Sequence, residues 1–261
     1  MLDKSLKYLV YIHSTLCTHA DMKKLFLPED VPSYEEVWEW LKSGTLELDT
    51  TEERNKKIKE NAKKVDEEKI SKLLEEKSIE IITWEDKRYP EKLKTIGHAP
   101  YFLYLRWVLR AEISPAIGVV GSRKHTSYAD RILSKILPDV IDAGVSIVSG
   151  GAIGVDALAH EISLAHGGYT IAVFGTGIDR AYPAANKKLF ESILEKGWWL
   201  ISHFPLGTWP ELYNFPIRNE VVAGLSDAIL IPEAGLSSGT LITAQLALEH
   251  GRDVYAVPGD I

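Results

Sequence analysis

The chain has 261 residues, 45% of them apolar, and carries 30 Lys/Arg against 37 Asp/Glu, for a net charge of −7 and a pI near 5.7. It is long enough for one large domain plus a smaller one, and no run approaches the ~18 apolar residues of a membrane span. Asp3, Lys4, Lys7 and His13 interrupt the opening segment as a signal peptide, so a soluble, cytoplasmic protein is expected. The acidic balance excludes coating of nucleic acid through bulk charge, so binding of that kind needs a local pocket. The lone Cys17 excludes an intramolecular disulfide and a multi-cysteine zinc site, and reads as a buried structural thiol in an apolar helical stretch.

Residues 1–80 read as a small helical domain: an apolar opening segment, a break at Pro28 and Pro32, a Trp38/Trp40 segment, and a charged helix from about Glu52 to Lys77. Thr50 with Glu53 forms a capping-box start for that last helix, and its Lys and Glu read as a solvated face. Residues 81–112 form a lead-in with one or two short strands, punctuated by Pro90, Gly97 and Pro100. From 113 to 261 apolar runs of about five residues alternate with amphipathic segments. Strands fall at Ile117–Val120, Val145–Val148, Tyr169–Phe174, Trp199–Ser202, Ala228–Ile231 and Val254–Val257. Helices fall at Ser127–Ala143, Val155–Ala165, Asn186–Glu195, Pro216–Ala223 and Gly239–Glu249. Strands this apolar imply a mainly parallel sheet covered on both faces, hence a Rossmann-like, doubly wound α/β fold.

Strand ends lead into small-residue loops: Gly121-Ser122-Arg123, Ser149-Gly150-Gly151, Gly175-Thr176-Gly177 and Ser237-Ser238-Gly239-Thr240. Such loops share the carboxyl edge of an open sheet, where glycines admit an anion and helix N-termini offer free N–H groups. Together they predict a phosphate-binding surface. Neither G-x-x-x-x-G-K-[ST] nor G-x-G-x-x-G followed by an acidic residue occurs, so nucleotide hydrolysis and dinucleotide redox chemistry are disfavoured and no cofactor is expected. Arg123 is placed to grip a phosphate through paired hydrogen bonds, with Lys124, Lys187 and Lys188 as further candidates. In Asn214-Phe215-Pro216-Ile217-Arg218-Asn219, either a base stacks on Phe215 while Arg218 holds the backbone, or Phe215 is core and Arg218 pairs internally. Asp156 and His160 share one helix face; Asp156 is expected to cap backbone and His160 to be a satisfied, partly buried histidine rather than a catalytic group.

These motifs, VVGSRKHTSYA (119–129), SGGAIGVDALAH (149–160), FGTGIDRAYPAAN (174–186) and the segment 203–259 containing NFPIRN, resemble in order and spacing the DprA/Smf family of DNA-processing proteins. The likeness covers about 150 residues, and residues 84–106 resemble the family's lead-in. It implies a homodimer that binds and protects single-stranded DNA and loads a RecA-type recombinase during uptake of transforming DNA. By the same resemblance the DNA-contacting positions fall on Arg123, Lys187 and Asn214 to Asn219. The family commonly has arginine at the positions of Ile153 and Glu220, and glutamate at that of His203, which here partly offsets the two losses; weaker DNA binding is therefore expected. The family also continues past the position of Ile261 with a helix and strand that contribute to dimerisation, so the homodimer is an expectation that this end of the chain qualifies.

Two other readings compete. A sensor or hydrolase for a small phosphorylated nucleotide would share the fold, but the related hydrolases carry a catalytic glutamate in PGGxGTxxE, where this chain has Thr243. A scaffold with a decayed pocket would suit the acidic balance.

Overall fold

The computed structural model of the protein describes residues 4–106, 115–235 and 238–259. Five helices come first: α1 (Leu6–His13), α2 (His19–Phe26), α3 (Tyr34–Ser43), α4 (Glu52–Ala62) and α5 (Glu67–Glu76). Local chemistry punctuates them. Thr18 with Asp21 and Ser33 with Glu36 form reciprocal capping boxes at α2 and α3, and Gly44 ends α3 in the left-handed region at φ 78°. Cys17 is buried as expected, but in the turn between α1 and α2 rather than within a helix.

The single charged helix expected over residues 52–77 is two helices. Asp66 is the reason: its carboxylate accepts from the Lys69 N–H at 2.9 Å and starts α5 afresh. The start of α4 also moves by one residue. Thr51 caps it by accepting from the Arg54 N–H, while the Thr50 hydroxyl accepts from the Arg54 guanidinium instead.

One eight-stranded sheet follows, with β1 (Glu80–Thr83), β2 (Phe102–Arg106), β3 (Ala116–Val119), β4 (Ser146–Ser149), β5 (Thr170–Val173), β6 (Trp199–Ser202), β7 (Ala228–Ile231) and β8 (Asp253–Ala256). Across the sheet the order is β1-β2-β6-β5-β4-β3-β7-β8. The pairs β1·β2 and β2·β6 are antiparallel and the remainder parallel. Connecting helices are α6 (Glu91–Lys94), α7 (Ser127–Asp142), α8 (Val155–Ala165), α9 (Lys187–Glu195), α10 (Asn214–Leu225) and α11 (Gly239–Glu249). This is a Rossmann-like fold.

Both sheet faces are covered. Val119, Ile147 and Leu230 pack with α7 and α8 on one face, while Val148, Ile229 and Ile231 pack with α10 and α11 on the other. The amino-terminal helices share a cluster with the sheet, joining Leu9, Ile12, Trp38 and Leu41 to Tyr104, Phe174, Phe190 and Leu200. Strand β8, expected to be as apolar and buried as the others, lies at the sheet edge with Tyr255 54% exposed. The assumed division at residue 113 falls outside the described residues. No helix among the described residues is long and apolar enough to cross a membrane.

Candidate nucleic-acid interface

Strands β3 to β6 run outward in one direction from β3, and β7 and β8 in the other, so the order reverses between β3 and β7. In an open α/β sheet the crevice at such a reversal, beyond the carboxyl ends of the strands, is where a ligand settles. A cleft of about 580 Å³ lies there, lined by Gly121 to Lys124, Phe215, Arg218, Asn219, Gly235, Ser238 to Thr240 and Thr243.

The loops around it interlock through backbone. Ser122 donates its N–H to the Glu233 carbonyl at 2.9 Å, and Val155 donates to the Ser122 carbonyl at 3.1 Å. Two glycines make that approach possible. A Cβ on Gly121 would lie 2.8 Å from the Glu233 oxygen, and one on Gly154, at φ +87°, 2.3 Å from the Ser122 oxygen. The α11 N-terminus also faces the cleft, with the Ser238 hydroxyl accepting from the Thr240 N–H at 3.0 Å.

Arg123 and Phe215 meet in this cleft. The exposed guanidinium lies 5.1 Å from the ring centroid, within cation–π range. The half-buried ring also rests on the loop after β5, where a Cβ on Gly175 would come within 2.9 Å of it. A small adjoining hollow, lined by Gly150, Ile153, Gly175, Tyr182 and Pro183, continues past the ring.

Arg218 is turned inward. It is 5% exposed and donates through Nη1 to the carbonyls of Val173, at 2.7 Å, and Gly150. Its Nε donates to Asn219 Oδ1 at 3.0 Å. Of the two readings open for this residue, the geometry is that of the internal one, with Asp156 as the neighbouring charge. Burial pushes the Asp156 carboxyl up, with Arg218 opposing that shift. Asp156 also accepts from the Ala152 N–H at 3.3 Å, as a capping role requires. His160 is fully buried rather than partly so, with Nδ1 2.7 Å from the Thr170 hydroxyl.

Gly121, Ser122, Arg123, Phe215, Arg218, Asn219, Ser238, Gly239 and Thr240 thus line one cleft, with Gly150 and Gly175 in its side hollow. Five other expected positions do not line it. Ser149 is buried and donates to the Val119 carbonyl at 2.6 Å; Thr176 is buried and donates to the Arg180 carbonyl at 2.9 Å. Gly151 backs onto the Phe190 ring, and Asn214 is buried, its amide on the Trp209 carbonyl at 3.2 Å. Lys187 stands on the outer surface of α9, 3.8 Å from Glu191. Ser237 lies outside the described residues.

The positions that differ from the family pattern also divide. Ile153 is 44% exposed in the side hollow, on the site. Glu220 points away from it, accepting from the His98 N–H at 3.3 Å and lying 3.1 Å from His98 Nδ1. His203 supplies no compensating charge. It is buried, and burial together with His19 and Arg218 lowers its pKa to about 3. Sequence reasoning gave Thr243 no part in a DNA site; it is buried in the cleft wall with its hydroxyl unpartnered among the described residues. Its place one helical turn after Thr240 was the available signal.

The family model for DNA recombination-mediator protein A matches residues 80–261. Protein Smf of Escherichia coli (strain K12) is 40% identical over 188 residues, covering 72% of this chain and 50% of that protein. The DNA processing protein DprA of Streptococcus pneumoniae is 39% identical over 176 residues, covering 67% and 62% respectively. The chain therefore spans about half to three-fifths of the length of these curated relatives. The X-ray structure of S. pneumoniae DprA superposes with a TM-score of 0.80 at 28% identity, covering 100% of this chain and 89% of that one. A Helicobacter pylori DprA structure, described by its single-stranded DNA binding mode, gives a TM-score of 0.62 at 27% identity over 69% of this chain and 82% of that one. With a family model spanning 80–261 and the sheet order, glycine loops and cleft all present, the chain belongs to the DNA recombination-mediator protein A, or DprA/Smf, family.

Proposed function

We propose that the chain is a non-catalytic DNA-processing protein that binds single-stranded DNA in the β3/β7 cleft. The observation that carries this reading is the exposed Arg123 guanidinium beside the Phe215 ring, where three loops and a helix N-terminus converge. Arg123, Lys124 and the loop amide of Gly121 hold backbone phosphates, and Phe215 stacks on a base. Cation plus ring is the pairing that single strands use for sequence-tolerant binding. The H. pylori relative described by its single-stranded DNA binding supports the reading. Protection of incoming DNA in the cytoplasm, loading of a RecA-type recombinase and a homodimer belong to the same proposal. So does the division into a helical unit (1–80) and a Rossmann-like unit (81–261).

Titration of a labelled ~20-nucleotide single strand by fluorescence anisotropy, at about 50 and 200 mM salt, tests it. Arg123→Ala is expected to raise Kd roughly 10- to 100-fold, the loss of about 1.4–2.8 kcal/mol of charge-assisted contact, and to reduce the salt slope by about 0.7. Phe215→Ala is expected to raise Kd about tenfold with the slope unchanged, because stacking releases no counterions. Unchanged binding in Arg123→Ala would place the site elsewhere.

The cleft volume is also that of a small-ligand pocket, which favours a nucleotide sensor as the second reading. Thr243 in place of the hydrolase glutamate argues against cleavage. Saturable nucleotide binding by a protein that ignores single strands would select the sensor.

A further inference from the structure

The loop from Pro205 to Tyr213 presents large side chains to solvent: Trp209 is 64% exposed, Leu212 85% and Tyr213 67%. An isolated exposed aromatic is ordinary, but this one is rigidly backed. The Arg180 guanidinium lies 3.8 Å from the Trp209 ring, and Arg180 Nε is itself fixed by donating to the Gly207 carbonyl at 2.8 Å. Gly177 donates to the Thr208 carbonyl at 3.1 Å and Gly207 to Asp179 Oδ1 at 2.8 Å, so the two loops are laced together. The indole is held outward with one side covered by a cation.

This platform joins the DNA cleft by a short path. Tyr182, 41% exposed, has its ring 6.0 Å from that of Phe215 at an interplanar angle of 34°. Arg180 is two residues before Tyr182, at most about 7 Å of chain away. Beyond Arg180 lies a second cleft, of about 480 Å³, between the loop at Gly207 and the junction of α4 and α5. Lys64 and Lys69 line it, exposed and without an ion pair among the described residues. Two carboxylates also line it, each accepting a backbone N–H: Asp66 from Lys69 at the start of α5, and Asp179 from Gly207.

We propose that a single strand seated at Arg123 and Phe215 continues over Tyr182, stacks a further base on the Trp209/Arg180 platform, and runs its phosphates past Lys64 and Lys69 of the helical unit. The proposal rests on the single-strand reading above. It gives the amino-terminal helices a direct part in binding. Exposed rings with cations alongside are the arrangement that tracks a single strand without reading its sequence.

Length dependence separates the two readings. Oligothymidylates of ~6 and ~20 nucleotides, spanning the usual range of site sizes, are titrated against wild type, Trp209→Ala, Trp209→Phe and the pair Lys64→Ala/Lys69→Ala. Trp209→Ala is expected to weaken the longer strand about tenfold and the shorter less than twofold, with Trp209→Phe restoring most of the loss. The lysine pair is expected to reduce the salt slope for the longer strand alone by about 1.4, two phosphates' worth. Equal affinities of wild type and Trp209→Ala for the longer strand, while Arg123→Ala still weakens it, overturn the track and leave the primary site standing. Equal losses at both lengths overturn it too, by making Trp209 part of the primary site. A wild type that binds neither strand removes both readings.

Discussion

Lowering the pH from 7 to 5 is expected to remove on the order of 4 kcal/mol of folding stability, through histidines that the fold holds neutral. Burial lowers the pKa of both His160 and His203 to about 3, with Arg218 adding to the shift in each and His19 to that of His203. His13 is lowered well below its ordinary value by burial, then by His19 and His203, and His19 is lowered to about 4. In the unfolded chain these groups titrate near 6.5, so between pH 6.5 and 3 the unfolded state binds more protons and stability falls with falling pH. Each group lowered to about 3 contributes about 1.9 kcal/mol to the loss between pH 7 and 5. The figure of 4 counts only His160 and His203. Asp156, pushed up by burial, works in the opposite sense, and the lowered carboxylates of Asp21, Asp86 and Asp227 act below this window.

His160→Asn isolates one contribution. Asparagine places an N–H where imidazole Nδ1 faces the Thr170 hydroxyl, and that hydroxyl donates onward to the Ile147 carbonyl at 3.0 Å. The variant starts from lower stability, so the readout is the difference between pH 7 and 5 in urea unfolding, which should shrink by about 1.9 kcal/mol. Parallel curves for variant and wild type would show that His160 takes its proton inside the fold.

The Rossmann-like half was legible because its signals are local. Short apolar strands such as Thr170–Val173 end in glycine loops, and helices such as Ser127–Asp142 and Lys187–Glu195 between them have one apolar face. What stayed hidden depends on strand order. Ser122 follows one buried strand and Ser149 closes another, but only Ser122 lies at the β3/β7 reversal, and no local pattern states which strands are neighbours. The placement of β1 and β2 beyond β6 was hidden for the same reason. Arg218 and Lys187 show the complementary limit. A cation near a motif is free or committed according to the carbonyls and carboxylates around it: those holding Arg218, of Gly150 and Val173, come from distant segments, whereas Glu191 lies one turn from Lys187 on the same helix. The split between α4 and α5 was available, since Asp66 is a good cap followed by Glu67 and Glu68, but a continuous Lys/Glu pattern masked it.

Arg218→Ala is expected to cost about 3–5 kcal/mol of stability, the price of removing one partner from a buried charged network. The substitution leaves the carbonyls of Gly150 and Val173 without their donor, and Asp156 buried without its compensating charge. It also empties the space under Phe215, whose ring centroid lies 5.9 Å from the guanidinium carbon. Gly150 shows how tightly that guanidinium is seated: a Cβ there would come within 2.3 Å of it. Asp156→Ala and the double variant complete a cycle. Because the two charges are neighbours in one network, the double variant should recover 1–3 kcal/mol relative to the sum of the singles, an order of magnitude typical of coupled sites. A loss below about 1 kcal/mol, combined with a reduction of about 0.7 in the salt slope for single strands, would instead make Arg218 a phosphate-gripping cation. A large stability loss with the slope unchanged for the folded fraction identifies it as the residue that holds the Gly150 loop and Phe215 in place while Arg123 meets the DNA.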